Sequence, residues 1–215
     1  MLLGPGSISL MPPGEVHDGM RAGELAYTLK TFRLPAAWLD ELAQELAGGA
    51  HGPALRGATL DDPALAQRLV AIHAALQAEH PDGPLGLQSA WLLALERLFV
   101  QSRSVVTRRL AGGLSDTQWQ RVRDYCEAYL AEKITLDALA ALCDVDRFAF
   151  LKRFRQSAGM TPHAWLVRLR LERACRLLHG EGGSIAAVAH AVGFYDQSHL
   201  NRAFRRAFGC APSRY

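Results

Sequence analysis

The stretch DQSHLNRAFRRAFGCAPSRY, residues 196–215, repeats the stretch DRFAFLKRFRQSAGMTPHAW, residues 146–165, at an offset of fifty positions. The paired positions keep their chemical type: Asp146 with Asp196, Phe150 with Leu200, Lys152 with Arg202, Phe154 with Phe204, Gly159 with Gly209, Pro162 with Pro212 and Trp165 with Tyr215. An internal repeat means that one supersecondary unit is used more than once. The sequence therefore predicts two copies of the same small motif in its C-terminal half.

The first copy predicts two helices joined by a tight turn. Thr135 is placed to cap a short apolar helix that begins at Leu136. Asp144 and Val145 then turn the chain, and Asp146 caps a second helix, RFAFLKRFRQSA. Phe150 and Phe154 lie four residues apart and so share the inner face of that second helix. Gly159 predicts a left-handed C-cap.

The second copy predicts the same motif with a turn that is one residue longer. Ser184 caps the helix IAAVAHAV, and Asp196 caps the basic helix QSHLNRAFRRAF. Gly193 lies in the turn between them, where a positive φ is required.

A single helix connects the two copies. Thr161 as N-cap and Pro162 at the first helical position predict its start, and the glycines of GEGGS end it after about Leu178 or His179. At 1.5 Å per residue this helix is roughly 25 Å long. Two helices held apart by such a rod can enter successive major grooves of B-DNA, which are about 34 Å apart.

The residues from 139 to 178, LAALCDVDRFAFLKRFRQSAGMTPHAWLVRLRLERACRLL, together with IAAVAHAVGFYDQSHLNRAFRRAFGCAPSRY resemble the DNA-binding domain of the AraC/XylS family of bacterial transcription regulators. The resemblance covers residues 117–215 and implies a seven-helix domain with tandem helix-turn-helix motifs. It implies a sequence-specific regulator, an activator or a repressor, with double-stranded operator DNA and RNA polymerase as partners. The sequence departs from the family at Asp144, where a glycine is usual, but Asp adopts the left-handed region at modest cost.

The resemblance assigns base-reading positions on both second helices, which are the recognition helices. On the first they are Phe148, Leu151 and Lys152. The two apolar side chains favour thymine methyl groups, and Lys152 favours guanine or phosphate. The alternative is that Phe148 and Leu151 pack against neighbouring helices.

The second recognition helix offers more polar readers. They are Gln197, Ser198, His199, Asn201 and Arg202. Gln197 and Asn201 suit adenine and Arg202 suits guanine. Phosphate contacts are expected at Arg147, Arg155, Arg205 and Arg206. Four further arginines on the connecting helix, Arg168, Arg170, Arg173 and Arg176, are expected at its surface without contacting DNA.

The N-terminal half predicts a short β-structure followed by helices. Strands are expected over Ser7–Met11 and Leu25–Leu34, and they resemble the end of the cupin-like β-barrel sensor of the family. A full barrel needs about eight strands, so the barrel is shortened or the sequence starts inside it, and a small-molecule effector is in question.

Three helices follow: AAWLDELAQELA, PALAQRLVAIHAALQAE and GLQSAWLLALERLFVQS. Their apolar stripes favour an intramolecular core. The resemblance implies that the same helices can also pair two protomers in a homodimer. Asp62 as cap and Pro63 predict the start of the second, and Ser115 with Gln118 predicts a capping box that opens the first helix of the C-terminal half.

The sequence thus predicts a mostly α fold in three parts: 1–104, a partial cupin-like sensor and dimerisation domain; 105–116, a linker; 117–215, the DNA-binding domain. Residues 115–215 carry 15 Lys or Arg and 10 Asp or Glu, which favours a polyanionic partner for this half.

Other functional classes are not favoured. His17 lacks the partners of a cupin metal site, so no metal or cofactor is expected. Four cysteines without a CxxC pair, and apolar stretches too short to span a membrane, indicate a cytoplasmic protein. The resemblance implies that it is bacterial and associated with the nucleoid when bound to DNA. The sequence contains no catalytic triad spacing, phosphate-binding glycine loop or reactive thiol environment, so an enzyme is not expected. A protein-interaction module that has lost DNA binding stays the alternative.

Overall fold

The protein is described here by a computed structural model, which covers residues 6–12, 29–47, 55–77, 83–104, 112–179 and 184–215. The chain forms two compact units: a first unit of Met1–Gln77 and Ala90–Arg109, and a second unit of Ala78–Ser89 and Leu110–Tyr215.

The first unit contains one small sheet. Strand β1 (Ser7–Leu10) pairs antiparallel with β2 (Ala58–Asp61), so that Ser7 lies opposite Asp61. The prediction of a strand at the start of the chain is therefore confirmed. Strand β2 was not predicted, because four residues directly ahead of a helix start carry too little alternation to be recognised.

The predicted strand Leu25–Leu34 is wrong for the residues that can be judged. Residues 29–34 form no strand, and residues 25–28 lie outside the described residues. The reason is tertiary packing: the ring of Phe32 meets His73 and Trp91 edge-on, with centroids 5.6 and 5.4 Å apart. A side chain anchored between two helices does not need strand pairing to be stabilised.

Three helices complete the N-terminal part: α1 (Ala36–Ala47), α2 (Pro63–Gln77) and α3 (Gly83–Gln101). Helix α1 begins and ends where the sequence predicts. Helix α2 begins at Pro63 as predicted and is described as far as Gln77, since the last two predicted residues lie outside the described residues; α3 begins three residues before Gly86. Buried residues of these helices include Leu42, Leu46, Leu65, Ile72, Leu95 and Phe99.

Asp62 organises the start of α2. Its Oδ1 accepts the N–H of Leu65 at 3.0 Å, while its Oδ2 accepts from Arg97 at 2.5 Å and from Gln101 at 2.7 Å. The hydrogen bond from Leu65, followed by those from Gln101 and Arg97, holds the pKa of this carboxyl below its usual range. Asp62 therefore acts as the predicted N-cap and also ties α2 to α3.

The second unit is helical throughout its described elements. These are α4 (Asp116–Ala128), α5 (Leu136–Leu142), α6 (Arg147–Ala158), α7 (Pro162–Leu178), α8 (Ile185–Ala191), α9 (Gln197–Phe208) and a 3-10 turn (Pro212–Arg214). The pairs α5–α6 and α8–α9 are the two predicted helix-turn-helix motifs, and α7 is the connecting helix. The mostly α fold is confirmed, with the 3-10 turn as the seventh helical element in the part of this unit that the structure describes.

Side-chain caps define where these helices begin. Ser115 and Gln118 form the predicted capping box of α4. The other caps each accept the N–H three residues on: Thr135 at 3.1 Å, Asp146 at 2.7 Å, Thr161 at 3.2 Å, Ser184 at 3.1 Å and Asp196 at 2.6 Å. Each cap is worth about 1 kcal/mol, which is why short helices such as α5 and α8 start at defined residues.

Each recognition helix is held by an aromatic cluster at the equivalent place. Phe154 of α6 packs on Trp119 at 5.2 Å and on Trp165 at 5.8 Å between centroids. Phe204 of α9 packs on Phe208 at 4.5 Å and on Tyr215 at 5.2 Å. Trp165 and Tyr215 are paired positions of the sequence repeat, so the repeat extends to the packing of the core.

The two turns differ in how tightly they are surrounded. Asp144 adopts φ 55° in the first turn, so the aspartate tolerates the left-handed region as predicted. Gly193 has φ 85° in the second turn. A Cβ at Gly193 would lie 2.6 Å from Leu130 O and 2.9 Å from Ala131 Cα, so backbone atoms occupy the space of a methyl group.

We expect Gly193→Ala to destabilise the protein by about 3 kcal/mol, because a left-handed residue with a Cβ costs about 1–2 kcal/mol and the clash adds to it. The matched control is Gly209→Ala, which shares a φ of 75° but has nothing within 4 Å of its Cβ position. That variant should lose about 1 kcal/mol. Urea unfolding followed by circular dichroism measures both, and equal losses would contradict the close packing at Gly193.

A second prediction concerns Asp62→Asn and pH. The folded-state pKa of Asp62 lies below the ordinary value of 3.8, so its stabilising effect is present above that value and is lost as the pH falls through the folded-state pKa. Wild type should be more stable than Asp62→Asn at pH 7, and the difference should begin to narrow below about pH 4 and close once the pH is below the folded-state pKa. Thermal unfolding between pH 7 and pH 2.5 measures this.

The control for this experiment is Asp61→Asn, since the Asp61 side chain is exposed at the end of β2. A stability difference between wild type and Asp62→Asn that is constant over the whole pH range would show that the charge of Asp62 contributes nothing.

Candidate nucleic-acid interface

Helix α9 presents a polar, positively charged face. Leu200 and Phe204 are completely buried and fix the inner side of the helix. Gln197, Ser198 and Arg202 are exposed, and Asn201 is half-buried. Between its caps α9 contains three arginines and no acidic residue. A helix with this composition creates a local positive potential on its outer side.

The positive face continues to the end of α9. Arg205 and Arg206 are exposed in its last turn, and Gly209 closes the helix with φ 75°. Arg202 and Arg206 lie four residues apart and so point to the same side. The predicted readers Gln197, Ser198, Asn201 and Arg202 therefore share one accessible surface with the predicted phosphate contacts Arg205 and Arg206.

His199 does not belong to that surface, and its burial does not favour the base-reading role, which stays a prediction. Its side chain is 6% exposed, and its ring meets Phe194 edge-on at 4.8 Å between centroids. The helical spacing places it next to Leu200 on the buried side. A histidine in a polar run was not distinguishable by type from its exposed neighbours.

Helix α6 presents fewer groups than predicted. Phe148 is 2% exposed and Leu151 is 1% exposed, so neither side chain is accessible to a thymine methyl group. This burial favours the alternative that they pack in the interior, while base reading by these two residues stays a prediction. Lys152 is half-buried, and its Nζ lies 5.2 Å from the centre of the Phe148 ring, in cation–π geometry.

The two predicted phosphate contacts of α6 differ in their surroundings. Arg155 is exposed. Arg147 is 24% exposed and forms an ion pair with Asp137 of α5, with Nη1 and Oδ1 3.8 Å apart. Part of its charge is therefore already balanced, and Arg155 is the better placed of the two for a phosphate.

The arginines of α7 divide into three surface groups and one buried group. Arg168 pairs with Glu172 at 3.0 Å, and Arg173 and Arg176 are exposed, as expected. Arg170 is only 5% exposed, so its predicted surface position is wrong. Its Nε donates to Leu130 O at 3.0 Å and its Nη2 to Glu132 O at 3.1 Å. The sequence could have indicated this burial, because Arg170 lies four residues from both Leu166 and Ala174, which are buried.

Among the described residues, potential metal ligands are dispersed and the Cys126 thiol is deeply buried. Within these residues, no three His, Cys, Asp or Glu side chains lie close enough together to hold a metal ion. Burial raises the pKa of the Cys126 thiol to about 12, which leaves no thiolate near pH 7. His17 lies outside the described residues. In the same part of the chain, no helix has the length and apolar character that crossing a membrane requires.

Two family models match the chain. Residues 139–215 match a helix-turn-helix domain, and residues 1–95 match the AraC-like ligand binding domain. The first match covers both recognition helices, and the second covers most of the first unit.

Individual proteins that are similar to the chain also carry the names of regulators. The chain is 29% identical to the MmsAB operon regulatory protein of Pseudomonas aeruginosa over 220 residues, which is 99% of this chain and 66% of that protein. It is 25% identical to the transcriptional activator RhaS of Pectobacterium carotovorum, over 96% of this chain and 75% of that protein. The chain thus spans slightly less than two thirds of the MmsAB regulatory protein.

Among solved structures, the DNA-binding domain of AdpA, a global transcriptional factor in complex with a target DNA, is 34% identical. The matched region covers 47% of this chain and 90% of the AdpA chain, with a TM-score of 0.44. From the two matching family models and the relatives along nearly its whole length, the chain belongs to the AraC/XylS family of bacterial transcription regulators.

Proposed function

We propose that this chain is a sequence-specific DNA-binding regulator of transcription that holds operator DNA through its second unit. The observation that carries the proposal is the exposed face of α9, where amide, hydroxyl and guanidinium groups lie together on a helix without acidic residues. The membership of the family supports the same activity. Operator DNA is the partner that such a surface fits, because it offers base edges and a dense row of phosphates.

Base reading is assigned to the exposed positions of α9. Gln197 and Asn201 lie one turn apart, and their amides suit the N6 and N7 of adenine. Arg202 follows with a guanidinium that suits the O6 and N7 of guanine. Ser198 completes this set as a shorter polar group. His199 is left out because it is buried in this structure.

The contribution of α6 is smaller and mostly electrostatic. Lys152 and Arg155 are the accessible cations among its predicted contact residues, and Arg147 is shared with Asp137. With Phe148 and Leu151 buried, few groups of α6 remain for direct readout. We infer that α6 supplies position and affinity, whereas α9 supplies most of the sequence preference.

The connecting helix gives the two recognition helices a fixed separation. Helix α7 has 17 residues and is therefore about 25 Å long. Adjacent major grooves on one side of B-DNA lie about 34 Å apart. A rod of this length, with one recognition helix beyond each end, suits insertion into successive major grooves.

Family membership supports the other proposed properties, which concern the effector, the location in the cell and the partners. The match to the AraC-like ligand binding domain supports a small-molecule effector acting on the first unit. We propose a cytoplasmic protein with no catalytic activity of its own, which works with RNA polymerase. The apolar helices of the first unit support a homodimer.

The main competing function is a protein-interaction module without DNA binding. The two functions differ in their dependence on salt, because binding of cationic side chains to phosphates releases counterions. The affinity for DNA should fall steeply with rising salt, with a slope set by the number of phosphates contacted. An absence of DNA binding at low salt would favour the interaction module.

We expect Arg202→Ala to weaken binding to an operator by about 1–3 kcal/mol and to relax base preference at one position, because a bidentate contact to guanine is lost. Arg205→Ala should weaken binding to all sequences alike and lower the salt slope by about one. An operator can be isolated by in vitro selection with the wild-type chain. Fluorescence anisotropy on this duplex and on a scrambled duplex measures both effects.

The two variants control for each other, since each removes one exposed arginine from the same helix. If Arg202→Ala lost equal affinity for the selected and the scrambled duplex, its assignment as a base reader would be wrong. Unchanged affinity of Arg205→Ala for both duplexes would remove Arg205 from the phosphate contacts.

A further inference from the structure

Arg170 of α7 binds the main chain of the loop between α4 and α5. Its Nε and Nη2 donate to the carbonyl oxygens of Leu130 and Glu132, two and four residues after α4 ends at Ala128. Carbonyl groups of a loop lie outside the regular helical hydrogen-bond pattern and need other donors, such as side chains or water. A buried guanidinium that satisfies two of them forms strong, directional hydrogen bonds.

The turn of the second helix-turn-helix motif meets the same point. Apart from its approach to Leu130 and Ala131, a Cβ at Gly193 would lie 2.8 Å from Nη2 of Arg170. Three elements therefore converge without room for a methyl group: the loop between α4 and α5, the connecting helix α7, and the turn between α8 and α9. The loop leads into the first motif, and the turn leads into α9.

An apolar residue at position 170 could also be buried on this side of α7, but it would not fix the orientation of the helix. Leu166 and Ala174, one turn away on either side, are buried and apolar. Apolar packing tolerates small sliding and rotation, whereas two hydrogen bonds from one planar guanidinium to two carbonyls fix a single orientation. The use of arginine here thus adds geometric definition beyond burial.

We propose that Arg170 is a positioning residue that sets the separation and orientation of α6 and α9, and through them the half-site spacing that the protein prefers. This inference rests on the proposed function. Two linked DNA-binding modules gain affinity from the second contact only when the link presents it in the right place. Arg170 therefore contributes to binding of a complete operator without contacting DNA.

The test compares Arg170→Gln with wild type on three duplexes. They carry the selected operator, the operator with one half-site scrambled, and the operator with two base pairs inserted between its half-sites. Arg173→Gln is the matched control, because it removes the same charge from an exposed position of the same helix. Arg170→Lys keeps the charge but lacks the planar fork that reaches both carbonyls in one orientation. It should therefore restore only part of the operator binding that Arg170→Gln loses.

We expect Arg170→Gln to bind the complete operator about tenfold more weakly than wild type and the single half-site equally well. Insertion of two base pairs should weaken wild type strongly and the variant much less. An equal loss on all three duplexes, or an unchanged penalty for the insertion, would overturn the proposal. If wild type bound none of the duplexes specifically, the proposed function would fail instead.

A measurement without DNA tests the positioning role of Arg170 independently of the proposed DNA binding. Fluorophores introduced by unnatural amino acids at Gln156 of α6 and Ala207 of α9, both exposed, report the distance between the recognition helices by single-molecule energy transfer. Wild type and Arg173→Gln should give one narrow distribution, and Arg170→Gln a broader or shifted one. Identical distributions for all three proteins, with circular dichroism showing that they are folded, would overturn the positioning role of Arg170.

Discussion

The burial of one aromatic side chain in each recognition helix is the constraint on which the second unit depends. Phe154 and Phe204 are completely buried and occupy the same place in the two copies of the motif. Each packs on the aromatic residue that closes its copy, Trp165 or Tyr215. Because the side chains of a helix have fixed angular positions, burying one of them decides which others face outward. The chemistry of the outer faces is thus a consequence of the core.

The sequence predicted most of what is local. Caps such as Asp62, Asp146 and Asp196, and the left-handed residues of the turns, act through neighbours only three or four positions away, so their pattern is visible in the chain. The errors concern tertiary contacts. Strand β2 depends on pairing with β1, some fifty residues earlier, and Phe32 is held by two helices rather than by a strand. In both cases the contacting residues lie far apart in the sequence.

The differences at the site have the same origin. Base reading was expected at Phe148, Leu151 and His199 from the family resemblance, but their side chains are buried in this protein. Arg170 shows the reverse case, since a charged residue was expected at the surface and instead donates to two carbonyl oxygens from a buried position. In each case the environment of the individual side chain, rather than its type or its place in the family pattern, decides whether it is accessible. A single sequence cannot supply that environment, although the apolar neighbours of Arg170 at four-residue spacing pointed to it.

The unequal burial of α6 and α9 has a consequence for how such a protein can evolve. On α6, mutations at Phe148 or Leu151 alter the interior, so most of them are removed by loss of folding before they can change recognition. On α9, Gln197, Ser198 and Arg202 can vary with little effect on the fold, because they touch mainly solvent. Under the proposed function, divergence toward new operators is therefore expected to proceed through exposed positions of α9 rather than through the buried positions of α6.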